Sequence, residues 1–117
     1  MGFAITSVAR DRARKSMLAA VPRATLVIAN PTHYAIALKY KQGEDAAPTV
    51  LAKGQDLIAL KIREIAEKNG VPVVEDKMLA RSMYDVAHID KMIPSEFFRP
   101  VAEIIYFLHS RKQKTNA

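Results

Sequence analysis

Two short apolar segments that are separated by only four residues constrain the fold of this chain most strongly. Residues 25–29 and residues 34–40 are rich in β-branched and other apolar side chains, which predicts two β-strands. Between them lie Asn, Pro, Thr and His at residues 30–33, where asparagine and proline favour a turn. The sequence therefore predicts a tight connection between two strands. We call residues 30–33 the NPTH turn.

The rest of the chain alternates further short strands with helices. The predicted elements are a helix over residues 7–20, strands over 49–52 and 71–74, a helix over 55–69, a short helix around 79–86 and a last helix that Pro94 opens. Pro100 is expected either to kink that last helix or to mark its start. This order predicts an α/β domain with a small mixed four-stranded sheet surrounded by about four helices. The unit over residues 49–74 is expected to be a right-handed parallel crossover.

Length and residue types limit the classes of protein that the chain can belong to. It has 117 residues, half of them hydrophobic and 26% charged, which suits one globular domain. It has no cysteine, which excludes disulfides, a thiolate metal site and a cysteine nucleophile. It has neither an apolar run of about 18 residues nor the apolar core of a signal peptide. Nothing in this chain is therefore expected to enter a membrane by itself.

The positive charge of the chain is concentrated at its two ends. The formal net charge is +6, of which residues 1–25 carry +4 and residues 109–117 carry +3, so residues 26–108 carry −1. A nucleic-acid-binding module needs a basic face on its folded body, and this central region does not supply one. We expect a basic linker helix over 1–25, a folded domain over 26–108 and a basic tail over 109–117. The ends are solvated helix ends and arms, segments that lie near anionic lipid, or segments that bind nucleic acid.

Most of the polar residues have a simple structural interpretation. His33, His88 and His109 lie in three separate segments at no metal-ligand spacing, so we expect neither a metal site nor a cofactor. His88 and His109 are expected on the surface. The neighbouring carboxylates of Glu75 and Asp76 point in different directions, which favours capping of the next helix over an acid–base pair.

The NPTH turn has a second interpretation besides a simple tight connection. The side-chain nitrogen of Asn30 can attack the backbone carbonyl carbon of Asn30, close a five-membered succinimide and expel the nitrogen of Pro31. Pro31 favours this route because it lacks the N–H that competing deamidation needs, and because it restricts Asn30 to extended geometry. His33 is within reach to move a proton or to polarise the carbonyl, while Thr32 either donates a hydrogen bond or shapes the turn. The flanking strands would hold the reacting atoms near each other.

The NPTH turn and its surroundings resemble the cleavage region of the FlhB/YscU family of type III export-switch proteins. The resemblance rests on residues 27–40, 47–48, 51–54, 56–57, 62–66, 70–75, 79–81 and 101–105. It covers most of residues 10–108 in unbroken order. Residues 34–40 are more similar to the flagellar members than to the injectisome members of the family.

The resemblance implies a regulatory domain on the cytoplasmic face of the bacterial inner membrane, attached to a four-helix membrane domain that this chain does not contain. It implies spontaneous cleavage between Asn30 and Pro31 as a single intramolecular turnover, not a protease activity towards other substrates. Cleavage then lets the flagellar export apparatus change from hook-type to filament-type subunits. The implied partners are other export-gate components, exported flagellar subunits and the hook-length control protein.

Two alternatives to this flagellar interpretation remain at the level of the sequence. The nearer one keeps the fold and the cleavage and places the domain in a virulence injectisome. The more distant one is a nucleic-acid-binding module with basic tails, in which an Asn-Pro turn occurs by coincidence. In the leading interpretation the strands on either side of the turn hold the two pieces together, so cleavage changes the surface locally and leaves the fold intact.

Overall fold

The chain folds into a central sheet with helices on both faces. The computed structural model describes the backbone of residues 2–116 and the side chains of residues 9–111. The elements in chain order are α1 (Gly2–Ala20), β1 (Leu26–Asn30), β2 (Tyr34–Lys39), β3 (Thr49–Gln55), α2 (Leu57–Lys68), β4 (Val73–Glu75), α3 (Lys77–Val86) and α4 (Phe98–Asn116). Single turns of 3-10 helix at Val21–Arg23 and Ser95–Phe97 follow α1 and precede α4. The predicted α/β fold is confirmed.

The sheet is mixed, and its strand order is β3-β2-β1-β4. β1 and β2 pair antiparallel from Leu26 opposite Leu38 to Asn30 opposite Tyr34. β2 and β3 also pair antiparallel, whereas β1 and β4 pair parallel. It follows that β1, β3 and β4 all run in one direction. The predicted parallel relation of the strands on either side of α2 is therefore confirmed, and α2 connects the two opposite edges of the sheet. The handedness of that crossover stays a prediction.

Both faces of the sheet are covered, which explains why the strands are apolar runs with little polar alternation. Leu26, Ile28, Ile36 and Leu38 pack on one face against α3, α4 and the segment before α4. The intervening residues of β1 and β2 pack on the other face against α2 and the end of α1. Successive side chains of a strand point to opposite faces, so the central hairpin contributes to two hydrophobic cores.

β3 is longer than the sequence suggested. The strand was expected to end before Gly54, but it continues to Gln55, which pairs with Tyr34. Gly54 is buried within it, and a Cβ there would collide with the side chain of Ile58. The glycine therefore allows close contact between β3 and α2. The predicted start of α2 at residue 55 is corrected to Leu57 because the chain is still in the sheet at Gln55.

The two terminal helices, α1 and α4, each test one expectation from the sequence or show one feature of their packing. Of the described side chains of α1, residues 9–16 are exposed and the last turn is partly buried, so this part of the helix has little tertiary anchoring. In α4, Pro100 lies in the first turn, where its missing N–H costs no hydrogen bond. Pro100 thus belongs to the start of the helix. No helix among the described residues is long and apolar enough to cross a membrane.

Candidate functional site

The NPTH turn forms the tight end of the β1–β2 hairpin. Asn30 is the last residue of β1 and lies opposite Tyr34, the first residue of β2. The backbone N–H of His33 donates a hydrogen bond to the carbonyl oxygen of Asn30 at 3.0 Å, which closes a four-residue turn. Pro31 occupies the second position, where its fixed φ suits such a turn. The predicted tight connection is confirmed.

This hydrogen bond bears directly on the peptide bond between Asn30 and Pro31. A donor on the carbonyl oxygen draws electron density from the carbonyl carbon and stabilises the negative charge that builds up when a nucleophile attacks. The donor here is the backbone N–H of His33 and not its imidazole. Asn30 is partly buried and is the last residue of β1, whose pairing with β2 restricts the motion of the Asn30 carbonyl.

The imidazole of His33 lies beside a carboxylate that sequence reasoning did not assign to the site. Its Nδ1 is 3.8 Å from Oδ1 of Asp56, and the two side chains are 62% and 66% exposed. The backbone N–H of Asp56 also donates to the carbonyl of His33 at 2.9 Å. Asp56 precedes α2 with a φ of 54°, and its carboxylate does not cap that helix. The carboxylate is therefore available to orient the imidazole of His33.

A second missed residue is Arg63 in α2. Its Nη1 donates a hydrogen bond to the carbonyl oxygen of Pro31 at 2.7 Å. No sequence motif assigns a role to this arginine, but its spacing in the helix carries a signal. Arg63 lies four residues after Ala59 and three before Ala66, which places a cation beside the buried face of the helix.

Thr32 and the other polar residues named from the sequence lie in ordinary environments. Thr32 is exposed at the tip of the turn, and its proposed role stays a prediction. His88 and His109 are exposed, as expected. Asp76 caps α3, because its Oδ1 accepts a hydrogen bond from the backbone N–H of Leu79 at 3.1 Å. The prediction of a helix cap at this position is therefore confirmed.

An apolar cleft lies away from the turn, between the loop after β2 and α4. It encloses about 280 Å³ and is lined by Tyr40, Ala47, Pro48, Phe98, Ile105 and Tyr106, among others. The side chain of Tyr106 is 75% exposed, and that of Phe98 is 41% exposed. Exposed aromatic side chains around a cleft are typical of surfaces that receive another chain.

The fold and the turn together define a class of protein, and comparison with solved structures shows which one. The cytoplasmic domain of FlhB from Shewanella putrefaciens matches with a TM-score of 0.81 and 37% identity, over 88% of this chain and 79% of that one. The C-terminal domain of EscU, solved with an asparagine mutated to alanine, matches with a TM-score of 0.74 and 41% identity. That match covers 79% of this chain and 92% of the EscU domain. The class is that of the C-terminal domains of type III export proteins.

The family follows from the sequence of the whole domain. The model of the FlhB HrpN YscU SpaS family matches residues 3–108. The flagellar biosynthetic protein FlhB of Bacillus subtilis is 49% identical over 105 residues, and the FlhB of Escherichia coli is 42% identical over 109. These alignments cover 90% and 93% of this chain. The chain belongs to the FlhB HrpN YscU SpaS family of flagellar and type III export. It spans 29% of the length of the B. subtilis relative.

Proposed function

We propose that this chain is a self-cleaving regulatory domain of the flagellar export apparatus, which breaks between Asn30 and Pro31 and thereby controls the switch from hook-type to filament-type subunits. The observation that carries this proposal is the hydrogen bond at 3.0 Å from the N–H of His33 to the carbonyl of Asn30. This hydrogen bond polarises a carbonyl that lies directly before a proline, at the end of a strand that restricts the motion of that carbonyl.

The chemistry is an intramolecular acyl transfer that needs no cofactor. Nδ2 of Asn30 forms a bond to the carbonyl carbon of Asn30, while the N–H of His33 stabilises the resulting oxyanion. The bond from that carbon to the nitrogen of Pro31 then breaks, and the proton lost by Nδ2 is transferred to the nitrogen of Pro31. The imidazole of His33, oriented by Asp56, carries that proton. The products are a succinimide at Asn30 and a free amine at Pro31, and water later opens the succinimide.

The solved relatives support assigning the reaction to these residues. EscU domains have been solved with mutations at an asparagine, at the proline that follows it and at a histidine two positions beyond that proline. The spacing is the same as that of Asn30, Pro31 and His33 in this chain. The proposed reaction is a single turnover within one chain, so the domain acts as a switch and not as a protease.

The fold supports a cut that leaves the domain assembled. The N-terminal piece keeps β1 and the C-terminal piece keeps β2, and these strands remain paired from Leu26 opposite Leu38 onwards. The apolar side chains of both strands are buried, which opposes separation of the pieces. Only the NPTH turn changes, because it gains a new amine and, after hydrolysis, a new carboxylate.

We assign residues 26–108 to the switch domain, 1–25 to the connection from a membrane domain and 109–117 to a basic tail. The side chains of Lys112 and Lys114, which contribute to the charge of that tail, lie outside the described residues. This arrangement places the domain on the cytoplasmic face of the inner membrane, with the arginines of the connection near anionic lipid or neighbouring export-gate subunits.

The proposed partners are other export-gate components, exported flagellar subunits and the hook-length control protein. We assign the apolar cleft between the loop after β2 and α4 to an apolar segment of an exported subunit. Exposed aromatic side chains line this cleft, and membership of an export family supports an exported chain as its occupant. The 49% identity to a flagellar relative favours the flagellar apparatus over the injectisome alternative. Membership of an export family likewise favours export over nucleic-acid binding.

Mass spectrometry of the purified chain tests the cleavage. We expect two fragments, one ending at Asn30 and one beginning at Pro31, and an uncut chain for Asn30→Ala. The matched control is Asn69→Ala, which removes an asparagine that precedes Gly70 and is expected to leave cleavage unchanged. An intact wild-type chain after long incubation at neutral pH would contradict the proposal.

A further inference from the structure

Arg63 makes an unusual connection between α2 and the NPTH turn. The helix buries Ala59, Ile62 and Ala66, and Arg63 lies partly buried beside them. Its Nη1 reaches the carbonyl oxygen of Pro31 at 2.7 Å, a charge-assisted hydrogen bond between residues that are 32 positions apart. The one side chain therefore links a rigid helix to the residue that follows the proposed cleavage bond.

The environment of Arg63 is poor for a purely structural arginine. Its Nε is buried and has no hydrogen-bond partner among the described residues. Within the same part of the chain, none of the ion pairs includes Arg63. Buried polar groups are normally satisfied, and a half-buried cation is normally paired with a carboxylate. The stability of the fold alone therefore does not explain the position of the guanidinium. The group that the guanidinium binds, the carbonyl of Pro31, indicates a role at the NPTH turn.

We propose that Arg63 is a positioning residue for cleavage between Asn30 and Pro31, an inference that rests on the function proposed above. The ladder between β1 and β2 holds Asn30, on one side of the bond. Arg63 holds the carbonyl of Pro31, on the other side. Fixing both sides keeps the attacked carbonyl in a near-attack geometry and limits rotation of the proline that must depart.

The charge of Arg63 adds an electrostatic contribution to this positioning. Only four bonds separate the oxygen of Pro31 from the carbonyl carbon of Asn30, so the two atoms lie within about 5 Å of each other. The guanidinium is therefore close to the oxyanion that forms on Asn30 during attack. A nearby cation in a partly buried site lowers the energy of that oxyanion relative to the uncharged starting state.

The test measures the rate of cleavage in newly made chains. A variant that is cut slowly would otherwise be fully cut before purification is complete, and its lower rate would not be seen. The wild type, Arg63→Met, Arg63→Lys and Arg63→Ala are labelled by pulsed cell-free synthesis, and the cut fraction is followed over time. We expect Arg63→Met to slow cleavage at least tenfold and Arg63→Lys to recover part of the rate. We expect guanidinium ion at millimolar concentration to accelerate Arg63→Ala and to leave the wild type unchanged.

Two controls separate this inference from the proposed function. Lys61→Met removes an exposed cation from the same helix and is expected to leave the rate unchanged. If the wild type stays uncut, the proposed function fails. If the wild type is cut and Arg63→Met is cut equally fast, only the role of Arg63 is overturned. It is also overturned if the Met and Lys variants are equally slow and guanidinium restores nothing. Thermal unfolding verifies that each variant is folded, and Arg63→Gln replaces the Met variant if the latter is not.

Discussion

The paired strands of the β1–β2 hairpin and the turn that joins them differ sharply in environment. In the body of the hairpin, Leu26 and Leu38 face each other and are fully buried. At the turn, Thr32 and His33 are exposed, and the shape depends on one hydrogen bond within the turn and on two that Asp56 and Arg63 donate to it. Stability therefore resides in the strands, whereas the proposed chemistry resides in a segment that contributes little to the core. Under the proposed cleavage, this separation lets the chain be cut at one point and keep its fold.

The largest effect on stability is expected in the body of the hairpin. Leu38→Ala removes a side chain that is 0% exposed, which is expected to lower the free energy of unfolding by about 2–5 kcal/mol. Urea unfolding in an Asn30→Ala background measures this change without interference from cleavage. Lys39→Ala, at the exposed next position, is the control and is expected to change little. A loss below about 1 kcal/mol for Leu38→Ala would contradict the conclusion that the stability of the hairpin resides in its buried strands.

His33→Ala is expected to have the opposite profile, with a large effect on chemistry and a small one on stability. Removing the imidazole is expected to slow cleavage about 100-fold, the lower end of the range for general acid–base catalysis, because the backbone N–H still polarises the Asn30 carbonyl. The cleavage time course and the thermal unfolding midpoint are measured together. His88→Ala removes another exposed histidine as a control. An unchanged cleavage rate would reduce the side chain of His33 to a structural role.

The smallest effect is expected at Asp56. Asp56→Asn keeps the shape of the side chain and removes its charge, so His33 loses an exposed partner at 3.8 Å. The contact is an ion pair only when the imidazole carries a proton on both nitrogens, and even then an exposed pair contributes about 0.2–1 kcal/mol, which corresponds to a slowing of cleavage of no more than about fivefold. The same time course with Glu64→Gln, an exposed acid of α2, provides the matched control. A slowing beyond about 50-fold would show that the carboxylate takes part in proton transfer and does not merely orient the imidazole.

The local parts of this structure were predictable from the sequence, and the contacts between distant segments were not. The strands on either side of the NPTH turn and the cap at Asp76 follow from apolar patterning and helix-start chemistry, which act over a few residues. The extension of β3 to Gln55 depends on its pairing with Tyr34, which no local pattern encodes. Likewise, the contact of Arg63 with Pro31 depends on α2 packing across the sheet.

The position of β1 within the sheet has a mechanical consequence. β1 is hydrogen-bonded to β2 on one side and to β4 on the other, and in the proposed cut form both neighbours belong to the second piece. A force that pulls the N-terminal piece along the strand direction therefore loads two ladders in shear, and their bonds share the load. A force across the sheet would instead open one bond at a time. The cut domain is thus built to resist a longitudinal pull from the segment that precedes Leu26, while its new ends at the turn carry none of that load.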